Sequence, residues 1–255
     1  MAWGGIFLSS MGTFAAQPEG GKMIKVIPAQ EDRIPYWLYL PEDGRRKDRK
    51  LPVVVFLHGM GERGNNLDQV LAHGPPKLIA KGKSFPFIMI APQCPNDGNR
   101  GRRNATSIWW HPGGPVDKLK NILDFESNRL GNGDPNRIYI TGLSMGGFGT
   151  YQIVTRYPDY FAAAAPISGH GNRNKDKEAF QKAFSRIPVW AFHGDRDNVV
   201  RLSEQRKTIT LLEEGGANIK FTVYPGVGHD SWTRTYNNPS IYEWLLSQNR
   251  ASSKR

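Results

Sequence analysis

Ser144 stands between two glycines in the run Gly142, Leu143, Ser144, Met145, Gly146, directly after the β-like NRIYITG (136 to 142) and directly before the helix-like GGFGTYQIV. A strand that turns at once into a helix strains the residue at the corner, and glycine on either side lets neighbouring chain approach. The serine hydroxyl then projects above the sheet as a nucleophile. The plainer reading, a glycine-rich turn without chemistry, accounts for the glycines but not for the partners that follow. At neutral pH a serine hydroxyl needs a base to take its proton and a carboxylate to orient that base. Both come downstream, in the order that accompanies such an elbow. IPVWAFHG runs into HGDRDNVV, with Asp195 and Asp197 as alternative acids in a loop at a strand end, and IKFTVYPG runs into VGHDSW, with His229 as the base. The chemistry predicted is attack on a carbonyl carbon through an acyl-enzyme.

Such an attack builds an oxyanion, which needs N–H donors already in place. Met145, the residue after the nucleophile, supplies one at a helix N-terminus whose dipole favours negative charge. The loop in VVVFLHGMGERGNN supplies the second, from Met60 or Gly61. Trp109 or Trp110, at the end of the long polar loop PNDGNRGRRNATSIWWHPGG (95 to 114), and Trp232, just after His229, are candidate walls of a substrate pocket, with core packing as the rival role for each. Of the remaining histidines, His58 and His193 precede glycines at strand ends and suit local backbone contacts, whereas His73 and His170 lie in loops. His111, beside the paired tryptophans, could line a pocket. No histidine pair has metal-ligand spacing and Cys94 is the lone cysteine, so neither a metal site nor a disulfide framework is expected.

These residues need a frame that gathers strand ends. Short apolar runs at 34 to 40, 51 to 59, 85 to 93, 136 to 142, 161 to 169, 187 to 194 and 219 to 226 read as strands. Amphipathic pieces at 115 to 130, 146 to 158, 175 to 184, 199 to 216 and 239 to 248 read as helices. Their alternation predicts an α/β fold, a mostly parallel central sheet flanked by helices, with function at the strands' C-terminal ends. Most connections are only long enough for a crossover helix, so no large lid domain is expected. The catalytic domain is expected over 22 to 248, between a flexible tail or signal-peptide remnant (1 to 21) and a polar tail (249 to 255). Export and a cytoplasmic location stand level.

No apolar run reaches the length of a membrane-spanning helix. The net charge is +11, concentrated in part in RRKDRK (45 to 50) and RGRR (100 to 103). Neither run interleaves aromatics on a regular element, so solvated loops are expected rather than a nucleic-acid surface.

LHGMGERGNN, APQCP, GLSMGGFGTY, HGDRDNVV and GHDSWTRTYNNPSIYEWL, in that order, resemble the blocks of the α/β-hydrolase superfamily, in its phospholipase/carboxylesterase-like group near feruloyl esterases and polyhydroxybutyrate depolymerases. The resemblance covers roughly 22 to 248. It implies the α/β-hydrolase fold, with a central sheet of about eight strands, and a serine ester hydrolase without a cofactor. It also implies that the acid is Asp197, the second aspartate of HGxxDxxV, and that the early oxyanion donor is Met60. The expected substrate is a small-molecule or polymer-borne ester, aromatic of the feruloyl type or polymeric. A peptidase or thioesterase on the same triad and a catalytically silent binding protein are the alternatives.

Overall fold

The computed structural model describes residues 21–46, 48–96, 110, 114–171 and 176–250. Trp109, His111, the RGRR run and most of both expected tails lie outside them. One eight-stranded sheet runs through the described residues: β1 (Lys22–Val26), β2 (Tyr36–Leu40), β3 (Leu51–Leu57), β4 (Ile88–Pro92), β5 (Gly133–Leu143), β6 (Ala163–Ile167), β7 (Val189–Gly194) and β8 (Ile219–Tyr224). Their spatial order is β1-β2-β4-β3-β5-β6-β7-β8. β2 runs antiparallel to both its neighbours, and every other pairing is parallel. β1 escaped the sequence reading because KMIKV is an edge strand, only partly buried, with no continuous apolar run.

The inner strands are apolar on both faces because both faces are covered. In β3, all of whose residues are buried, Val53, Val55 and Leu57 point into one core layer while Val54 and Phe56 point into the other. β4 repeats the division, Ile88 and Ile90 against Met89 and Ala91. The first layer is roofed by α2 (Pro115–Leu130), α3 (Met145–Arg156), α4 (Lys177–Phe184) and α5 (Leu202–Glu214), through residues such as Leu119, Val154, Phe184 and Leu212. The second is roofed by α1 (Gly74–Ala80), α6 (Trp232–Asn237) and α7 (Ser240–Ser247), through Ile79, Tyr236 and Leu245. None of these helices is long and apolar enough to cross a membrane. The fold is that of the α/β-hydrolases.

Two local departures from the expected helices have clear causes. The helix expected over 175 to 184 starts at Lys177, because the Asp176 carboxylate accepts from the Ala179 N–H at 2.9 Å and caps it. The helix expected from 199 starts only at Leu202. The N–H groups of Val199 and Val200 are taken by the Asp197 side chain, at 2.9 and 2.8 Å, which holds this segment in a turn.

The sheet's register sets up the site. Leu57 pairs with Gly142, and Leu143 with Ile167, so the chain leaving β3 and the chain leaving β6 flank the corner at Ser144. A Cβ on Gly146 would lie 2.0 Å from the Leu57 carbonyl oxygen, and one on Gly142 would lie 2.5 Å from the Gly146 oxygen. Both obstacles are backbone atoms inside the sheet or the helix that faces it. Gly146→Ala should therefore cost at least about 1–3 kcal/mol of stability, whereas Gly61→Ala, whose Cβ meets nothing within 4 Å, should leave stability unchanged. Urea denaturation of the two variants checks this; equal stabilities would contradict the close-packed corner.

Candidate active site

Ser144 sits between the end of β5 and the first turn of α3 with φ 50° and ψ −115°. A left-handed φ at a residue with a side chain costs on the order of 1–3 kcal/mol. It is held there by its own N–H, which donates to Ile167 O at 2.9 Å, and by its carbonyl, which accepts from Phe148 N at 3.1 Å. Its Oγ lies 2.9 Å from Nε2 of His229. Nδ1 of His229 lies 2.7 Å from Oδ2 of Asp197. The two contacts form one unbroken line across the ends of β5, β7 and β8.

His229 comes from the loop between β8 and α6. Its carbonyl accepts from Ser231 N at 2.8 Å and from Ser168 Oγ at 2.9 Å, and Ser231 Oγ lies 2.7 Å from Ser168 Oγ. Ser168 leaves β6 at a φ of 48°. A second strained serine thus braces the histidine loop. Trp232 sets its indole perpendicular to the His229 ring, with centroids 5.1 Å apart and planes at 89°, and the histidine side chain is 20% exposed. The ring is fixed from behind and open in front.

Asp197 is buried at the end of β7. Its Oδ1 accepts the Val199 and Val200 amides, and its Oδ2 faces two imidazoles, His229 Nδ1 at 2.7 Å and His193 Nε2 at 3.2 Å. Burial alone would raise the carboxyl's pKa. Hydrogen bonds from His193, His229 and the amides of Val200 and Val199 outweigh it and hold the carboxyl well below the usual range, so Asp197 is ionised. An acceptor-only carboxylate fixes the His229 tautomer: Nδ1 carries the proton, and Nε2 presents a lone pair to the serine hydroxyl. Asp195 is exposed and serves otherwise, accepting from Gly226 N at 2.7 Å and so tying the β7 loop to the turn after β8.

The two N–H donors expected for an oxyanion open short helical turns. Met145 is the first residue of α3 and Met60 the first of a 3-10 turn, Met60–Glu62, just past β3. N–H groups at such first positions have no acceptor within their own helix. A Cβ placed on Gly59 would come within 3.7 Å of Ser144 Cβ, so this turn lies against the serine. The Met60 side chain is 45% exposed.

Beneath the turn is a buried polar set in which His58 makes the local backbone contact expected of it and Gln93 is a member that sequence reasoning did not single out. His58 Nδ1 donates to Gly59 O at 2.6 Å and His58 Nε2 accepts from Cys94 N at 2.8 Å. Gln93 Nε2 donates to the carbonyls of Glu62 and Asn66, each at 2.8 Å. The APQCP segment after β4 therefore supports the HGMGERGNN segment after β3. Their joint appearance was the signal available. Burial pushes the His58 imidazole down to about 4 and the Cys94 thiol up to about 12, so the first is neutral and the second is a protonated, unreactive thiol near neutrality.

The tryptophans divide. Trp232 is 9% exposed and touches both His229 and His73, whose ring lies 5.7 Å away. Trp110, expected as a pocket wall, is instead 2% exposed and part of the core beneath α3. It seats against Gly149, where a Cβ would be 2.6 Å from its own, and meets the His58 ring edge-on at 5.5 Å. Packing won there because Gly149 leaves a slot on α3 that an indole fills. Trp109 lies outside the described residues. His73 and His170 also have neighbours, the Trp232 ring and the Phe148 ring, the latter at 4.4 Å.

A mostly parallel sheet with a serine at a strained strand-to-helix corner, an imidazole and a carboxylate at later strand ends defines an α/β-hydrolase. The chain belongs to the dienelactone hydrolase family, whose sequence profile matches residues 44–254, and it is an esterase-type hydrolase. Carboxylesterase SOBER1 of Arabidopsis thaliana is 25% identical over 211 residues, 78% of this chain and 92% of that one. Poly(3-hydroxyalkanoate) depolymerase C of Paucimonas lemoignei is 29% identical over 170 residues, 64% of this chain and 34% of that protein. Among solved structures, a thermostable esterase superposes with a TM-score of 0.69 at 33% identity, covering 89% of this chain; the chain spans 63% of that protein's length.

The buried His58 gives the site an acid sensitivity of its own. The unfolded imidazole has its ordinary value of 6.5 and the folded one about 4, so on acidification the unfolded chain takes the proton first. The stabilisation is complete above pH 6.5 and is lost as pH falls towards 4. Between pH 7 and 4.5 this amounts to about 2 to 3 kcal/mol. Urea titrations should show wild type losing that much more stability over the interval than His58→Asn. Equal losses would contradict a buried neutral imidazole.

Proposed function

We propose that the protein hydrolyses carboxylic esters by a double displacement in which Ser144 is the nucleophile, His229 the general base and acid, and Asp197 the group that orients and charge-balances the imidazole. His229 Nε2 takes the Ser144 proton as Oγ bonds to the ester carbonyl carbon. The carbonyl oxygen becomes an oxyanion held by the amides of Met60 and Met145. Collapse breaks the bond to the alcohol, which leaves with the proton from Nε2, and an acyl-Ser144 ester remains. Water attacks that ester with the same imidazole as base, and the acid departs as Ser144 recovers its proton. The observation that carries this reading is the single line of 2.9 and 2.7 Å contacts from serine through imidazole to an ionised carboxylate.

Two features bear on the substrate. The exposed Met60 side chain gives the mouth an apolar edge beside the serine, and the ring of Trp232 stands against the base. The depolymerase relative acts on a polymer-borne ester, and we extend that class, with small acyl and aryl esters, to this chain.

A panel of p-nitrophenyl acyl esters, methyl ferulate, an acyl thioester and a peptide anilide tests the reading. Wild type should turn over the oxygen esters. Ser144→Ala should lose on the order of a millionfold in kcat and Asp197→Asn about ten-thousandfold. Cleavage of the anilide with no oxygen ester touched would reassign the protein as a peptidase, and undiminished turnover by Ser144→Ala would remove the serine from the mechanism.

A further inference from the structure

The Met60 amide proposed as an oxyanion donor can work only if its peptide plane is aimed, and the structure shows what aims it. The Gly59 carbonyl and the Met60 N–H belong to one planar trans peptide and point in opposite directions. Fixing the carbonyl therefore fixes the N–H. That carbonyl accepts from His58 Nδ1 at 2.6 Å, on the buried side of the turn. The peptide before it is held through the Gly59 N–H, which donates to Glu62 Oε2 at 2.7 Å. The peptide after it is held through the Met60 carbonyl, which accepts from Arg63 Nε at 3.0 Å.

The donor on His58 is itself assigned by a neighbour. Nε2 accepts from the Cys94 backbone N–H at 2.8 Å, so the ring proton is on Nδ1, facing Gly59 O. The imidazole spans from the segment after β4 to the turn after β3, wedged by the Trp110 edge. A local capping contact would need only Glu62. A buried imidazole with both nitrogens engaged, one of them on the peptide that carries the donor, does more than end a turn.

We propose that His58 and Glu62 are positioning residues that clamp the Gly59–Met60 peptide so that the Met60 N–H faces the oxyanion formed at Ser144. Neither touches substrate. The proposal rests on the reading of Met60 given above, and it predicts that loosening the clamp weakens transition-state binding while leaving ground-state binding alone.

The two imidazole nitrogens can be replaced separately. An asparagine amide reaches about where Nδ1 lies and can still donate to Gly59 O; a glutamine amide reaches about where Nε2 lies and can still accept from Cys94 N, but not donate to Gly59 O. Each variant keeps one of the two bonds. His58→Asn should stay within about threefold of wild-type kcat. His58→Gln should fall about 10- to 100-fold in kcat with KM unchanged, short of the hundred- to thousandfold lost when a donor is removed outright. The affinity of an arylboronic acid, which forms a tetrahedral adduct on serine, should fall by the same factor. Thermal melts of both variants supply the control, since a merely structural role would make activity follow Tm rather than the identity of the retained bond.

If His58→Gln does not fold, the Glu62 pair decides. Glu62→Ala should reduce kcat and boronate affinity together, and Glu62→Gln, which keeps an acceptor oxygen for Gly59 N–H, should restore both. Equal kcat in His58→Asn and His58→Gln, or wild-type kcat in Glu62→Ala, would overturn the clamp. Failure of the underlying reading looks different: wild type would then turn over no ester, or Ser144→Ala would match it, before any clamp variant was compared.

Discussion

The site depends on one backbone contact, the first turn of α3 lying directly on the carbonyl that ends β3. No side chain fits between Gly146 and the Leu57 oxygen. Because helix and strand touch there, the corner at Ser144 cannot relax, and the serine accepts a left-handed backbone conformation that its hydrogen bonds to Ile167 and Phe148 hold in place. The same contact brings the turn after β3 against the serine. Ser144 and the first turns that carry the Met60 and Met145 amides are thus fixed together by main-chain packing, ahead of any choice of side chain.

His229 and Asp197 are fixed differently, by loops clasped to one another. Gly194, the last residue of β7, lies under the Val227 and Gly228 carbonyls, which a Cβ would approach to 2.2 and 2.3 Å. Asp195 and Arg196 then reach across to Gly226 N and Val227 O. The loop bearing Asp197 and the loop bearing His229 are therefore tied directly to each other. The carboxylate adds a constraint from below, since two amides saturate one of its oxygens while two imidazoles share the other. A buried charge so surrounded costs little to keep and is well placed to hold an imidazolium, because its hydrogen bonds are already made when the proton arrives.

Legibility in the sequence followed the range of the forces involved. The parallel core strands were plain, since burial on both faces writes runs such as LPVVVFL, and so was α2, whose bounds match the expected 115 to 130. β1, α1 and α6 were not read, being a half-exposed edge strand or helices of six or seven residues shaped by tertiary contact. Ser144, Asp197 and His229 stood out as strand-end residues in a fixed order, although spacing alone left Asp195 and Asp197 open. What separates those two is the turn, which directs the Val199 and Val200 amides at the second aspartate and leaves the first to solvent and Gly226. Trp110 was left open between pocket and core because the slot that receives it is made by Gly149, nearly forty positions away.

The supporting residues were the least visible, for a related reason. Ser168, Ser231, Gln93 and His58 act on main-chain groups, and a sequence does not say which carbonyl a hydroxyl, amide or imidazole will meet. Yet these contacts determine how much reorganisation a reaction would require. An amide donor free to rotate must be ordered as charge develops, whereas one whose peptide is already bonded on its opposite side is ordered during folding, at a cost borne by the core. The strained φ values at Ser144 and Ser168 and the neutral imidazole kept under the turn after β3 are such costs. They are tolerable because the sheet beneath them is covered on both faces, and that links the many apolar strand residues of this chain to the few polar atoms at its strand ends.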